Sequence, residues 1–197
     1  MNSGWKQDLS MLRSICVYCG SRKGKSDVHE KAMRLLAGEM VARNISLVYG
    51  GGKVGLMGVL ADEVLRLGGE VTGVIPRHLL DREVGHDGLT RLFVVKDMHE
   101  RKALMADKAD AFIAASGGMG TLDELLEVFT WRMLGLHAKP IGILNIDGLY
   151  DGLLGLFDHL SREDFVDASH SGVLYTGKDP GMLIDQLRNA VSFGKGL

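Results

Sequence analysis

The chain has 197 residues, 46% of them hydrophobic and 24% charged, which fits one globular domain with an aliphatic core. A formal net charge of −2 argues against a nucleic-acid partner, and no apolar run reaches the ~18 residues of a membrane span. With 27 glycines against 3 prolines, the composition predicts tight strand-to-helix turns, not a disordered linker.

Residues 1–12, MNSGWKQDLSML, lack the apolar core of a signal peptide and read as a flexible arm, which makes the cytoplasm the expected location. Residues 13–191 read as one α/β domain and 192–197 as a tail. The first strand, SICVY (14–18), runs into Cys19, so that Cys16 and Cys19 have C-x-x-C spacing. A zinc site needs a second ligand pair, which is missing, and a redox pair opens a helix, whereas Cys16 lies inside the strand. The two cysteines are therefore read as small buried residues.

Strand-like and helix-like segments then alternate. The further strands are SLVYG (46–50), EVTGVI (70–75), RLFVV (91–95), DAFIAA (110–115) and PIGILN (140–145), short and apolar on both faces like buried parallel strands. Helices are expected over 27–44, 55–67, 98–109, 121–134, 149–161 and 180–191. In the first of these Ala32, Leu35, Leu36 and Met40 keep helical spacing behind Ser26 as N-cap. The order predicts an α/β fold, a Rossmann-like doubly wound parallel sheet flanked by helices. Ligands of such sheets bind beyond the carboxyl ends of the strands, in the loops after Tyr18, Tyr49, Ile75, Val95, Ala115 and Asn145.

Two of those loops are glycine turns. In YGGGKVGLMG, Gly50, Gly52 and Gly55 satisfy G-x-G-x-x-G after a strand, but no acid ends the next strand to hold a ribose, which disfavours an adenine dinucleotide. Val54 follows Lys53 where a Walker lysine needs Ser or Thr, which excludes a P-loop. In SGGMGT, Gly117, Gly118 and Gly120 leave backbone amides uncovered beside a helix N-terminus, a natural phosphate site to which Thr121 adds a hydroxyl. The two turns together read as floor and wall for a nucleotide, with Gly51 and Gly52 contributing from the first.

Glu124 and Arg101 are the charged residues of interest. Thr121-x-x-Glu124 and Asp97-x-x-Glu100 both have capping-box spacing. On a helical wheel Leu122, Leu125, Leu126, Phe129 and Met133 form one face, with Glu124 opposite in line with Val128 and Trp131. Arg101 shares a helix face with Met98 and Met105, where it either snorkels or aims at the ligand edge. Lys102, Arg77 and Arg82 add cations that suit phosphate and sugar. The methionines read as core filler, and the seven histidines show no metal-ligand spacing.

CVYCGS, YGGGKVGLMG, MHERK and GGMGTLDE with LLEVFTW resemble, in order and spacing, the signatures of the LONELY GUY family of cytokinin-activating phosphoribohydrolases, over Ser14 to about Ala190. The resemblance implies a homodimer or larger oligomer, no cofactor, and hydrolysis of the N-glycosidic bond of adenosine 5′-monophosphate or its N6-modified relatives. It implies Arg101 and Glu124 as the catalytic pair. Lys102, Gly117, Gly118, Met119, Gly120, Thr121 and Thr130 match substrate-contacting positions, and Glu83 matches an acid on the base or sugar side. Ser116 departs from the proline usual in the family. The lysine decarboxylase label that members have carried finds no support in a Schiff-base lysine or pyridoxal phosphate motif. Three other readings stand beside this one: a nucleotide or phosphorylated-cofactor carrier using the same cradle without turnover, a nicotinamide oxidoreductase built on Gly50, Gly52 and Gly55, and a purely structural scaffold.

Overall fold

The computed structural model describes residues 12–80, 85–167 and 173–193. Seven strands form one parallel sheet in the order β4-β3-β2-β1-β5-β6-β7. They are β1 (Ser14–Tyr18), β2 (Ser46–Tyr49), β3 (Val71–Pro76), β4 (Arg91–Val95), β5 (Ala111–Ala114), β6 (Ile141–Leu144) and β7 (Leu174–Gly177). The helices are α1 (Val28–Ala42), α2 (Gly55–Arg66), α3 (Met98–Lys108), α4 (Met119–Met133), α5 (Asp151–Arg162) and α6 (Pro180–Phe193). The expected fold is present. The chain winds outward from β1 to β4 and then restarts at β5 on the other side of β1. That reversal puts a topological switch point between β1 and β5, where a crevice opens beyond the strand ends.

Alternation along β1 divides the core. Ile15, Val17 and Cys19 pack with α1, α2 and α6 on one face, whereas Cys16 and Tyr18 pack with α3 and α4 on the other. Cys16 and Cys19 are both buried and free, on opposite faces, as the reading of two small buried residues required. Burial pushes both thiols far up, and the carboxylate of Glu124 adds to the effect.

Several local expectations are corrected. β7 was not foreseen: LYTG is four residues long and only half-buried, too short for a clear period. β4 is not buried on both faces; it is one of the sheet's two edges, with Leu92, Phe93 and Val94 partly exposed. In α1 the inward set is Ala32, Met33, Leu36, Ala37 and Met40, and Leu35 faces outward. Asp27, not Ser26, occupies its N-cap, and the Ser26 hydroxyl accepts from the amide of Val28 at 3.4 Å. Met105 fills core as expected, but Met119 is 80% exposed.

Candidate active site at the β1–β5 switch point

The expected capping box at Thr121 does not form. α4 begins two residues earlier, with Gly118 at its N-cap and no side-chain cap, so Thr121 lies inside the first turn and is buried. At Asp97 the N-cap half of the box forms, its carboxylate accepting from the Glu100 amide at 3.0 Å, whereas Glu100 Oε2 reaches one residue further back and accepts from the Lys96 amide at 2.7 Å. That amide bond holds the Asp97 carboxyl below its usual range.

The early start of α4 changes what the glycines do. The first amides of a helix have no partner within it, and here they belong to the exposed residues Met119 and Gly120 and to Thr121. They carry the positive end of the helix dipole to the surface of a cavity of about 770 Å³. Gly117 has a packing reason: a Cβ there would overlap Oγ1 of Thr121. The turn is anchored from behind, where the Tyr150 hydroxyl donates to the Ala115 carbonyl at 2.6 Å. Burial pushes the Tyr150 phenol up to about 12, so it stays a donor at any ordinary pH.

The first glycine turn is built for a different purpose. The amides of Leu56 and Met57, at the start of α2, donate to the Gly20 carbonyl at 2.9 and 3.3 Å. Gly55, at φ +62°, abuts the backbone of Ser21 and Arg22. This helix N-terminus is therefore satisfied by protein. Gly51 and Gly52 are buried; the Gly51 carbonyl accepts from the His86 amide at 3.1 Å, and Gly52 bridges to Gly85. They support the segment after β3 and do not line the cavity.

Arg101 does not snorkel. It is 5% exposed, and its guanidinium donates to two backbone carbonyls, Nε to Val74 within β3 at 3.2 Å and Nη2 to Gly50 just after β2 at 2.9 Å. Glu124 sits on α4 next to the buried face, not opposite it, because Leu125, Val128 and Phe129 are the inward residues and Leu126 is exposed. Both Arg101 and Glu124 line the cavity, and both act electrostatically on Cys16 at the centre of β1. A fixed cation and a half-buried carboxylate thus flank a cradle of amides.

Of the other expected residues, Gly117, Gly118, Met119, Gly120 and Thr121 line the cavity. Lys102 does not; its ammonium pairs with Asp123 at 3.2 Å and Glu127 at 3.1 Å. Burial opposes its charge, but Glu127 and Asp123 outweigh that and raise its pKa. Thr130 lies on an exposed side of α4, where its hydroxyl donates to the Leu126 carbonyl at 2.7 Å. Glu83, like Arg82, lies outside the described residues. The cavity also takes in Arg22, Lys23 and His29, which were not singled out beforehand. Their signal was positional: they follow β1, the strand at the switch point.

Residues 57–187 match the family model described as "Possible lysine decarboxylase". The chain is 47% identical over 178 residues to the probable cytokinin riboside 5′-monophosphate phosphoribohydrolase LOGL6 of Oryza sativa subsp. japonica, covering 90% of this chain and 71% of that one. It is 46% identical over 182 residues to the cytokinin riboside 5′-monophosphate phosphoribohydrolase LOG7 of Arabidopsis thaliana, covering 92% and 84%. The chain belongs to the LONELY GUY family. Two family signatures now have places: MHERK opens α3 and delivers Arg101, and GGMGTLDE opens α4 and delivers Glu124. Among solved structures, the molybdenum cofactor carrier protein of Chlamydomonas reinhardtii superimposes with a TM-score of 0.68 at 17% identity, covering 92% of this chain and 99% of that one. The molybdenum cofactor binding protein of Rippkaea orientalis gives 0.66 at 19%, covering 91% and 98%. At those identities the likeness is one of fold.

Proposed function

We propose that this LONELY GUY protein is a phosphoribohydrolase that cleaves the N-glycosidic bond of adenosine 5′-monophosphate and its N6-modified relatives, releasing the free base and ribose 5-phosphate. The observation that carries the reading is the meeting of Arg101, Glu124 and the 117–121 amides in one cavity. The relatives' names supply the reaction class.

Each part has a task in this chemistry. The turn amides and the α4 dipole hold the 5′-phosphate. Leu56, Met57 and Met98 offer apolar surface to the base. As the C1′–N9 bond breaks, positive charge grows on the sugar, and the carboxylate of Glu124 stabilises it and orients the attacking water. The water oxygen bonds to C1′, and the departing base takes up the proton that the water gives up. Arg101, held by two carbonyls, fixes the ribose phosphate without reorganising.

Thr130 belongs to the site if a second copy presents it. It lies six residues beyond Glu124 on α4, about 9 Å along the axis. The exposed apolar residues Leu126, Leu134 and Leu136 on and after this helix supply a surface for that copy, which supports a homodimer. Light scattering after size-exclusion chromatography tests it. The cytoplasm, where nucleoside monophosphates are made, is the compartment this chemistry fits, and cell fractionation checks it.

The decisive experiment follows base release by chromatography from a panel of nucleoside monophosphates, with the nucleosides as controls. Wild type should release adenine or isopentenyladenine from the monophosphates, and Glu124→Ala should lose about 10³-fold. Full turnover in that variant would remove Glu124 from the mechanism. Stoichiometric binding with no release from any substrate would favour a carrier.

A further inference from the structure

Ser116 opens the second glycine turn and is only 3% exposed. A buried hydroxyl needs a partner, and this one has the imidazole of His29: Ser116 Oγ and His29 Nδ1 are 2.9 Å apart. The carbonyl of the same serine accepts from the Gly20 amide at 2.9 Å. One residue therefore ties the turn to both ends of the β1–α1 connection. Gly20 lies at its start, and His29 lies in the first turn of α1 at its end. Gly24, at φ +81°, packs on the far edge of the ring, where a Cβ would come within 3.0 Å of His29 Cδ2. The ring is thus held in place, and both His29 and Ser116 line the cavity. The hydrolytic scheme uses neither.

We propose that His29 is a phosphate-contacting residue and Ser116 its positioning residue. This rests on the reading of the 117–121 turn as the phosphate cradle. With Nδ1 engaged by the Ser116 hydroxyl at 2.9 Å, Nε2 is the ring nitrogen left to donate to the anion. Nearby Lys23 is already shared with Glu30, at 2.8 Å, so the aimed imidazole adds selectivity that the loose cation does not. The pair sets the preference for a 5′-phosphorylated nucleoside over the bare nucleoside and leaves bond cleavage to Glu124 and Arg101.

The test compares wild type with Ser116→Ala, His29→Phe, His29→Gln and the double variant Ser116→Ala/His29→Phe. Turnover is measured with adenosine monophosphate and adenosine, and calorimetry gives Kd for adenosine monophosphate and inorganic phosphate. Melting temperatures report folding. Each of the first two variants should raise KM and Kd for the monophosphate about 10-fold, with kcat little changed. His29→Gln keeps an amide donor and should recover part of the loss. The double variant should lose no more than the worse single one, because the two residues act as a unit. The low rate with adenosine should not move. Equal losses for monophosphate and nucleoside, additive losses, or no loss would each overturn the proposal. If wild type releases no base, the hydrolase reading falls alone, and the two Kd values still decide the role of the pair. If wild type binds neither ligand, both fall. Should Ser116→Ala not fold, the two single His29 variants, at a half-buried site, carry the decision.

Discussion

The carbonyl of Gly50 accepts a 2.9 Å hydrogen bond from Nη2 of Arg101, and a Cβ on that glycine would overlap the same nitrogen. The first glycine of YGGGKVG is therefore required by an arginine 51 residues later, not by a dinucleotide. Gly50→Ala must displace the guanidinium. Base release should fall about 10²-fold, as expected for misplacement of a positioned group by about 1 Å, with the fold retained by circular dichroism. Normal activity in this variant would show that Arg101 acts from elsewhere.

The three glycines of the second turn should not behave alike. A Cβ at Gly117 overlaps Thr121 Oγ1, whereas at Gly118 and Gly120 nothing lies within 4 Å. Gly117→Ala should lower both melting temperature and phosphate affinity. Gly120→Ala should leave the melting temperature unchanged. Differential scanning fluorimetry with and without phosphate separates the two outcomes.

Tyr150→Phe removes the 2.6 Å hydrogen bond to the Ala115 carbonyl and leaves that acceptor buried. The cost should be about 1–3 kcal/mol. For a chain of this size that is a fall of roughly 2–12 °C in Tm, measurable by calorimetry. No change in Tm would mean that another donor replaces the phenol.

His137 gives stability a pH dependence. Its Nε2 donates to the Val128 carbonyl at 2.9 Å, and its Nδ1 accepts from the Lys139 amide at 3.2 Å. Both ring nitrogens are satisfied in the neutral form, and burial, as the largest cause, lowers the pKa. The unfolded chain then binds this proton more readily than the native state does. Stability should be fully present above the unfolded value of about 6.5 and decline as pH falls through it toward the lower native value. Chemical denaturation of wild type and His137→Gln between pH 7.5 and pH 5 checks the sign, with a shallower decline expected in the variant.

How far the fold could be read in advance depended on periodicity. Six strands and six helices came from apolar runs and 3.6-residue spacing, which burial imposes directly. β7 escaped because a four-residue, half-buried edge strand carries no such signature. The face of α4 was misread because Val128 and Leu126 are equally apolar, and only packing against β5 and β1 decides between them. Thr121 and Glu124 have capping-box spacing, yet the helix starts at Met119, where the glycines allow an earlier turn. Topology pointed to the strand ends where the cavity lies, and the motifs MHERK and GGMGTLDE pointed to Arg101 and Glu124, both of which line it. The bond between His29 and Ser116 was not, because the partners lie 87 residues apart and neither type is unusual alone.

The strand order has a consequence for synthesis. β1 gains β2 as a neighbour almost at once, but its other edge stays open until β5 is made. The seal between them is the carboxylate of Asp110, which accepts from the Ser14 amide at 2.9 Å and the Ser14 hydroxyl at 3.0 Å across 96 residues. Until then the central strand of the sheet presents unpaired amides and carbonyls along one edge, which favours capture by a chaperone or by another unfinished copy.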